Sequence, residues 1–180
     1  MYILASIAAL ILCLYLVMDK KVQVQKDLVI QKSVDEVWEI MGNQFDQVHL
    51  WSTNFKDSKP GGFEKFPGIS FSERITITDR GETIQALDSF DPANYSLAYH
   101  ITKGAPGIAK HASSVWSLKK EGPNACTVFI AFNMETKGLL GFMMTPLIKK
   151  GIRNSAKEIA EDLKYYLEHG TPSPLKKGEK

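Results

Sequence analysis

Between residues 69 and 135 apolar and polar side chains alternate in segment after segment, joined by links too short for anything but antiparallel neighbours. Ile69, Phe71, Glu73, Ile75 and Ile77 alternate with Ser70, Ser72, Arg74, Thr76 and Thr78. Asp79-Arg80-Gly81 suits a hairpin turn into a strand at 82–90, and Asp91-Pro92-Ala93-Asn94 suits a type I turn with proline at its second position. Leu97, Tyr99 and Ile101 then alternate with Ser96, Ala98 and His100. After the loop Lys103-Gly104-Ala105-Pro106-Gly107, strands are expected near 111–119 and 125–135, separated by Glu121-Gly122-Pro123-Asn124. Such a chain folds as a meander.

Helical signals flank the meander. Residues 22–30 read as a first strand, with Val22, Val24, Leu28 and Ile30 on one face and Lys26 intruding among them. Ser33-Val34-Asp35-Glu36 is a capping box. Val34, Val37, Trp38 and Met41 continue it as one helical stripe that Gly42 is expected to end. A second short helix is expected at 45–51, and Lys59-Pro60-Gly61-Gly62 reads as a loop. Thr145-Pro146 supplies a cap and a first-turn proline for a long helix to about His169, striped by Ile148, Ile152, Ala156, Ile159, Leu163 and Tyr166. The class is α+β, with a curved antiparallel sheet of about seven strands wrapped around the last helix and a cavity between them. One domain over 20–170 accounts for the body, and the tail 171–180 has the composition of a disordered segment.

Residues 1–18 carry no charged side chain. A helix of that length covers about 27 Å, close to the thickness of a bilayer's hydrocarbon core. Residues 1–19 are therefore expected to be an uncleaved transmembrane anchor, because no basic residue precedes the apolar run and Leu16-Val17-Met18 offers no small-residue cleavage site. Leu12 before Cys13 argues against a lipidated cysteine. Lys20, Lys21 and Lys26 on the C-terminal flank predict a single-pass protein with its domain in the cytoplasm. A reducing compartment also suits Cys13 and Cys126, one in the apolar run and one in a strand. A formal charge of +2, with acids and bases mixed along the chain, gives no basic stripe for nucleic acid.

Several segments together resemble the START-related helix-grip superfamily, SRPBCC, which includes polyketide cyclases, dehydrases and lipid-transport proteins. They are the opening strand with Ser33, Val37-Trp38, Trp51, residues 81–91 with Leu87, the strand Tyr95-Ser96-Leu97-Ala98-Tyr99, and the 140–167 helix. The resemblance spans residues 22–169. It implies a hydrophobic-ligand pocket rather than a reaction, since Gln85-Ala86 stands where cyclase-like relatives often have Glu-Arg.

Chemical candidates are few. There is no nucleophile elbow, phosphate loop or C-x-x-C, no cofactor motif, and His49, His100, His111 and His169 lack metal-ligand spacing. Alternation places Glu73 on the face of Phe71 and Ile75, where a carboxylate needs a partner, and Lys26 is a candidate. The alternatives are a twist or bulge that turns both outward, or a purely structural pair between them. Leu97, Tyr99 and Trp116 are expected on one interior wall, either with a phenol and an indole to orient a ligand or as plain core packing. Ile148 and Ile152 would face it from the helix, while Phe142, Met143 and Met144 on one side and Pro106 and Ile108 on the other would rim the mouth. Residues 137–144 read as an apolar connection with two open roles, a lid over the cavity or a segment that dips into membrane beside Lys149, Lys150 and Arg153.

Three functions remain open on the sequence. The chain binds or transfers a hydrophobic small molecule or lipid at a membrane; it is a cyclase- or dehydratase-type enzyme with Glu73 as base and Tyr99 orienting the substrate; or it is a structural or regulatory membrane protein with a filled interior.

Overall fold

The computed structural model describes residues 21–174 together with Ser6, Ile7, Ala9, Leu12 and Cys13. The expected anchor at 1–19 and the last six residues of the tail therefore lie largely outside the described residues. Among those described, no helix is long and apolar enough to cross a membrane. Ser173, near the start of the expected disordered tail, is buried.

Seven strands form a single antiparallel sheet: β1 (Lys21–Ile30), β2 (Asp57–Gly61), β3 (Glu73–Thr78), β4 (Gly81–Asp91), β5 (Ser96–Lys103), β6 (Ala109–Gly122) and β7 (Ala125–Thr136). Their order is β1-β7-β6-β5-β4-β3-β2, so the meander runs unbroken from β2 to β7 and β1 adds beside β7. Helix α1 (Val34–Trp38) follows β1, and helix α2 (Gly138–His169) closes the described fold across β1 and β7. Curvature comes partly from irregular pairing, with register shifts at Ile84/Gln85 and Leu87/Ser89 in the β4–β5 ladder.

Local chemistry explains most boundaries. Both halves of the capping box form at α1: the Ser33 hydroxyl accepts from the Glu36 backbone, and the Glu36 carboxylate accepts from the Ser33 N–H at 2.9 Å. Gly42 does not end this helix as expected. The chain continues through a π turn, Glu39–Asn43, then a 3-10 segment, Phe45–Leu50. Gly42 is needed for space rather than for a left-handed cap, because a Cβ there would lie 2.6 Å from the Trp38 ring. That ring is itself wedged against Phe90 at 5.3 Å and Tyr95 at 6.0 Å. Gly42→Ala should therefore destabilise the fold by about 1–3 kcal/mol through overpacking. Denaturant unfolding of the full chain checks this, and a change below about 0.5 kcal/mol would remove Trp38 packing as the reason for the glycine.

Two further boundaries correct the sequence expectation. The loop at 59–62 overlaps a strand, β2, whose Pro60 lacks a ladder donor; the sheet tolerates it because β2 is an edge. Helix α2 begins at Gly138 rather than at Thr145-Pro146, so the apolar connection at 137–144 is its first two turns. Pro146 sits inside the helix, and the Thr145 hydroxyl donates to the Gly141 carbonyl at 3.1 Å.

Candidate functional site

The sheet's concave face is filled unevenly, and side-chain size determines where. Along β6 the inward positions run Ala112, Ser114, Trp116, Leu118, small at one end and large at the other. Trp116 and Leu118 join Leu97, Leu87, Phe90, Val128, Ile130, Ile159 and Leu163 in the main core. Over Ala112 and Ser114, by contrast, side chains from the sheet and α2 do not meet. A cavity of about 690 Å³ remains there, within the range of small-molecule sites. Its walls are Tyr99 and Ile101 from β5, Ala112 and Ser114 from β6, Phe132 and Met134 from β7, and Met144, Leu147, Ile148, Ile152 and Ile159 from α2.

One end of the cavity is buried and the other open. Gln85, Tyr99, Ala112, Ser114 and Ile159 form the buried end, whereas Arg80, Pro106, Leu147 and Lys150 at the other end are exposed. The open end gathers several chain segments. Lys21, the first residue of β1, pairs with Glu135 near the end of β7. Two residues after β7 comes the start of α2, and the Lys137 N–H donates to the Ile108 carbonyl at 2.9 Å. The start of β1, the 104–108 loop and the first turns of α2 thus share the cavity's mouth. Beside it Leu139, Leu140, Met143 and Leu147 are exposed at helical spacing, Leu140 and Leu147 each at 63%.

The buried end is polar in a way that the sequence reading did not anticipate. Arg74, only 3% exposed, faces inward from β3 opposite its cross-strand partner Gln85. Its Nε donates to Gln85 Oε1 at 2.9 Å, its Nη2 donates to the same oxygen, and its Nη1 donates to the Phe45 carbonyl at 2.9 Å. The guanidinium carbon lies 3.9 Å from the centroid of the Phe45 ring, with Tyr99 at 5.4 Å and Phe55 at 5.7 Å. Burial pushes the guanidinium down to about 10, an effect that the Tyr99 phenol and the Asp46 carboxylate partly offset. Burial raises the Asp46 carboxyl in turn, against the opposing pull of Arg74 and His49.

The sequence candidates divide into three groups. Tyr99, Ile148 and Ile152 line the cavity, as do Pro106, Ile108 and Met144 at its rim. Phe71, Leu97 and Trp116 are buried, as their alternation implies, but belong to the core beside the cavity rather than to its walls. Phe142 and Met143 do not reach it; Met143 is exposed on the outer face of α2. Glu73 is the substantive correction. It is half-exposed, outside the cavity, and in the phase of β3 opposite to buried Arg74 and Thr76. β3 starts only at Glu73, and Phe71 and Ser72 are both buried before it, so the alternation slips by one position. Four strands lie between Lys26 on β1 and Glu73 on β3, and no ion pair joins them.

The histidines have ordinary roles. His49 Nδ1 is 2.7 Å from the Ser58 hydroxyl, His100 lies 2.8 Å from Asp88, and His169 Nδ1 is 2.9 Å from the Tyr165 carbonyl. Among the described residues, no group of three or more His, Cys, Asp or Glu side chains is placed to hold a metal. Cys126 is buried, and desolvation pushes its thiol up to about 11, away from thiolate reactivity.

A family model described as polyketide cyclase / dehydrase and lipid transport matches residues 21–168. No relative among the curated proteins matches the chain. Among solved structures, a START superfamily protein from Mycobacterium smegmatis is 16% identical with a TM-score of 0.67, over 83% of this chain and 99% of that one. The Zhui aromatase/cyclase from Streptomyces sp. R1128 is 12% identical with a TM-score of 0.64, over 85% and 99% of the two chains. A norcoclaurine synthase point mutant from Thalictrum flavum, in complex with a transition-state analogue, is 14% identical with a TM-score of 0.63, over 86% and 99%. At these identities the likeness is one of fold.

Proposed function

This chain belongs to the polyketide cyclase / dehydrase and lipid transport family, and from that premise we propose that it binds a hydrophobic small molecule or lipid in its cavity, facing a bilayer that residues 1–19 enter. The observation that carries this reading is the position of the cavity mouth. It opens at the end of the fold where β1 begins, so an anchor directly before Lys21 would hold the mouth against lipid. The exposed ridge Leu139, Leu140, Met143 and Leu147, with Lys149, Lys150 and Arg153 close behind, suits the apolar and anionic layers of such a surface. The proposal places the domain in the cytoplasm, a reading supported by Lys20, Lys21 and Lys26 on the C-terminal flank of the apolar run.

Glu73 as a catalytic base beside Tyr99 is disfavoured, because that carboxylate lies off the cavity, and a cyclase- or dehydratase-type reaction would have to use other residues. A filled interior is at odds with an opening of about 690 Å³.

The test is solvent extraction and mass spectrometry of the purified full chain beside Ala112→Phe, which places a ring in the cavity from a buried position. The expected result is an apolar species at near-stoichiometric yield in the wild type, reduced about tenfold or more in a variant that keeps its circular dichroism. Equal amounts in the two proteins would overturn cavity binding.

A further inference from the structure

The cavity's buried end points to the ligand's chemistry. Arg74 has no carboxylate within ion-pair distance among the described residues. A guanidinium only donates, so the atom of Gln85 turned toward it must be the carbonyl oxygen, which takes two of its N–H groups. The Gln85 NH2 group is then the part of the amide presented to the cavity, with no acceptor among the described residues. Tyr99, beside it on β5, brings a phenol to the same wall. Gln85 and Tyr99 are 5% and 6% exposed, so bulk water screens neither strongly.

We infer that the cavity selects an apolar carboxylate, an acyl chain or fused-ring acid. Its carboxylate accepts from Gln85 Nε2 and Tyr99 Oη at the buried end, in the field of Arg74, while its apolar body lies along Ile148 and Ile152 toward the mouth. This rests on the cavity-binding reading above and adds the charge and orientation of the ligand. Arg74 acts as a positioning residue, since it reaches the ligand through Gln85 and Tyr99. An alcohol of the same length would keep a hydrogen bond but forgo the charge.

The experiment uses the full chain in vesicles of neutral phospholipid and two photoreactive probes, a diazirine-bearing dodecanoic acid and the matching dodecanol. Labelled peptides are mapped by mass spectrometry. The quantity read is the acid-to-alcohol labelling ratio at cavity peptides, divided by the same ratio in Gln85→Glu, which cancels the probes' different partitioning into lipid. That variant is nearly isosteric and gives Arg74 its own carboxylate. We expect the quotient to be about ten, the scale of one charge-assisted hydrogen bond. Tyr99→Phe should move the ratio in the same direction by a smaller factor.

A quotient near one overturns the inference. So does an acid preference that survives Gln85→Glu but disappears in Arg80→Gln with Lys150→Gln, because the carboxylate would then sit at the mouth. Absence of both labels from cavity peptides would instead overturn cavity binding itself, so the two failures are distinguishable.

Discussion

Asp162→Ala should lower the stability of the full chain by about 2–4 kcal/mol, the cost of removing a buried, charged acceptor that serves two donors. Asp162 lies on the inner face of α2 and is 4% exposed. Its Oδ2 accepts from both the backbone N–H and the hydroxyl of Thr53, each at 2.7 Å. These bonds fasten the chain leaving the 3-10 segment to the helix. Phe55, two residues further on, lines the cavity and faces Arg74, so the same tether positions part of the site. For a domain of this size the loss corresponds to a fall in Tm of roughly 4–16 °C. Asp162→Asn keeps one acceptor oxygen and should cost about half as much. Thermal unfolding in detergent micelles, followed by circular dichroism, separates the three proteins; an alanine variant within about 0.5 kcal/mol of wild type would show that the tether is not structural.

Asp162 also marks where sequence reasoning stops. The helical stripe through Ile148, Ile152, Ala156, Ile159 and Leu163 is legible from spacing; the structure buries Ala156, Ile159 and Leu163 and turns the partly buried Ile148 and Ile152 to the cavity. A carboxylate next to that stripe reads as solvated unless its partner is known, and Thr53 is 109 residues away in sequence. The strands from β4 to β7 were legible for a similar reason: alternation and short turns are local signals. Pro60 and Pro146 misled because the rules for proline depend on its surroundings. An edge strand tolerates the missing donor, and a 32-residue helix tolerates the loss of the one N–H that Pro146 would have offered to the carbonyl four residues earlier.

The exchange of Glu73 for Arg74 has a more general cause. A strand's two faces differ only in phase, so one extra residue reverses every assignment downstream. Phe71 and Arg74 both face inward although three positions separate them. The slip occurs where Ser72 bonds to both neighbours, its N–H donating to the Gly61 carbonyl and its carbonyl accepting from Leu87. Ser72 and Glu73 carry no local signal for that slip. Tyr99, Ile148 and Ile152 are legible because the spacing around them is regular, Arg74 is not because the slip at Ser72 precedes it, and Gln85 is not because a buried amide carries no local signal of its arginine partner.

Docking of the domain onto a bilayer should depend on the outer ridge of α2, and substituting Leu140 and Leu147 together by serine should reduce the docked fraction by about tenfold or more. Each leucine is largely exposed and contributes roughly 1.5–3 kcal/mol when fully buried, of which shallow immersion recovers a part. If residues 1–19 span the bilayer, docking is an intramolecular event, because only Lys20 stands between that segment and β1. Its effective concentration is then set by a very short link. Lys149, Lys150 and Arg153 add attraction only where the surface is anionic, at about 1 kcal/mol each. The measurement is an environment-sensitive fluorophore on Met143→Cys in the full chain, in vesicles with and without anionic lipid, using nitroxide-labelled lipids as quenchers. A second label on Val29→Cys, exposed on β1, reports the aqueous reference. Position 143 should be blue-shifted and quenched in anionic vesicles, less so in neutral ones, and should resemble position 29 once both leucines are replaced. Should position 143 match position 29 in every vesicle, the ridge does not touch lipid, and ligand entry from the bilayer through this mouth is excluded.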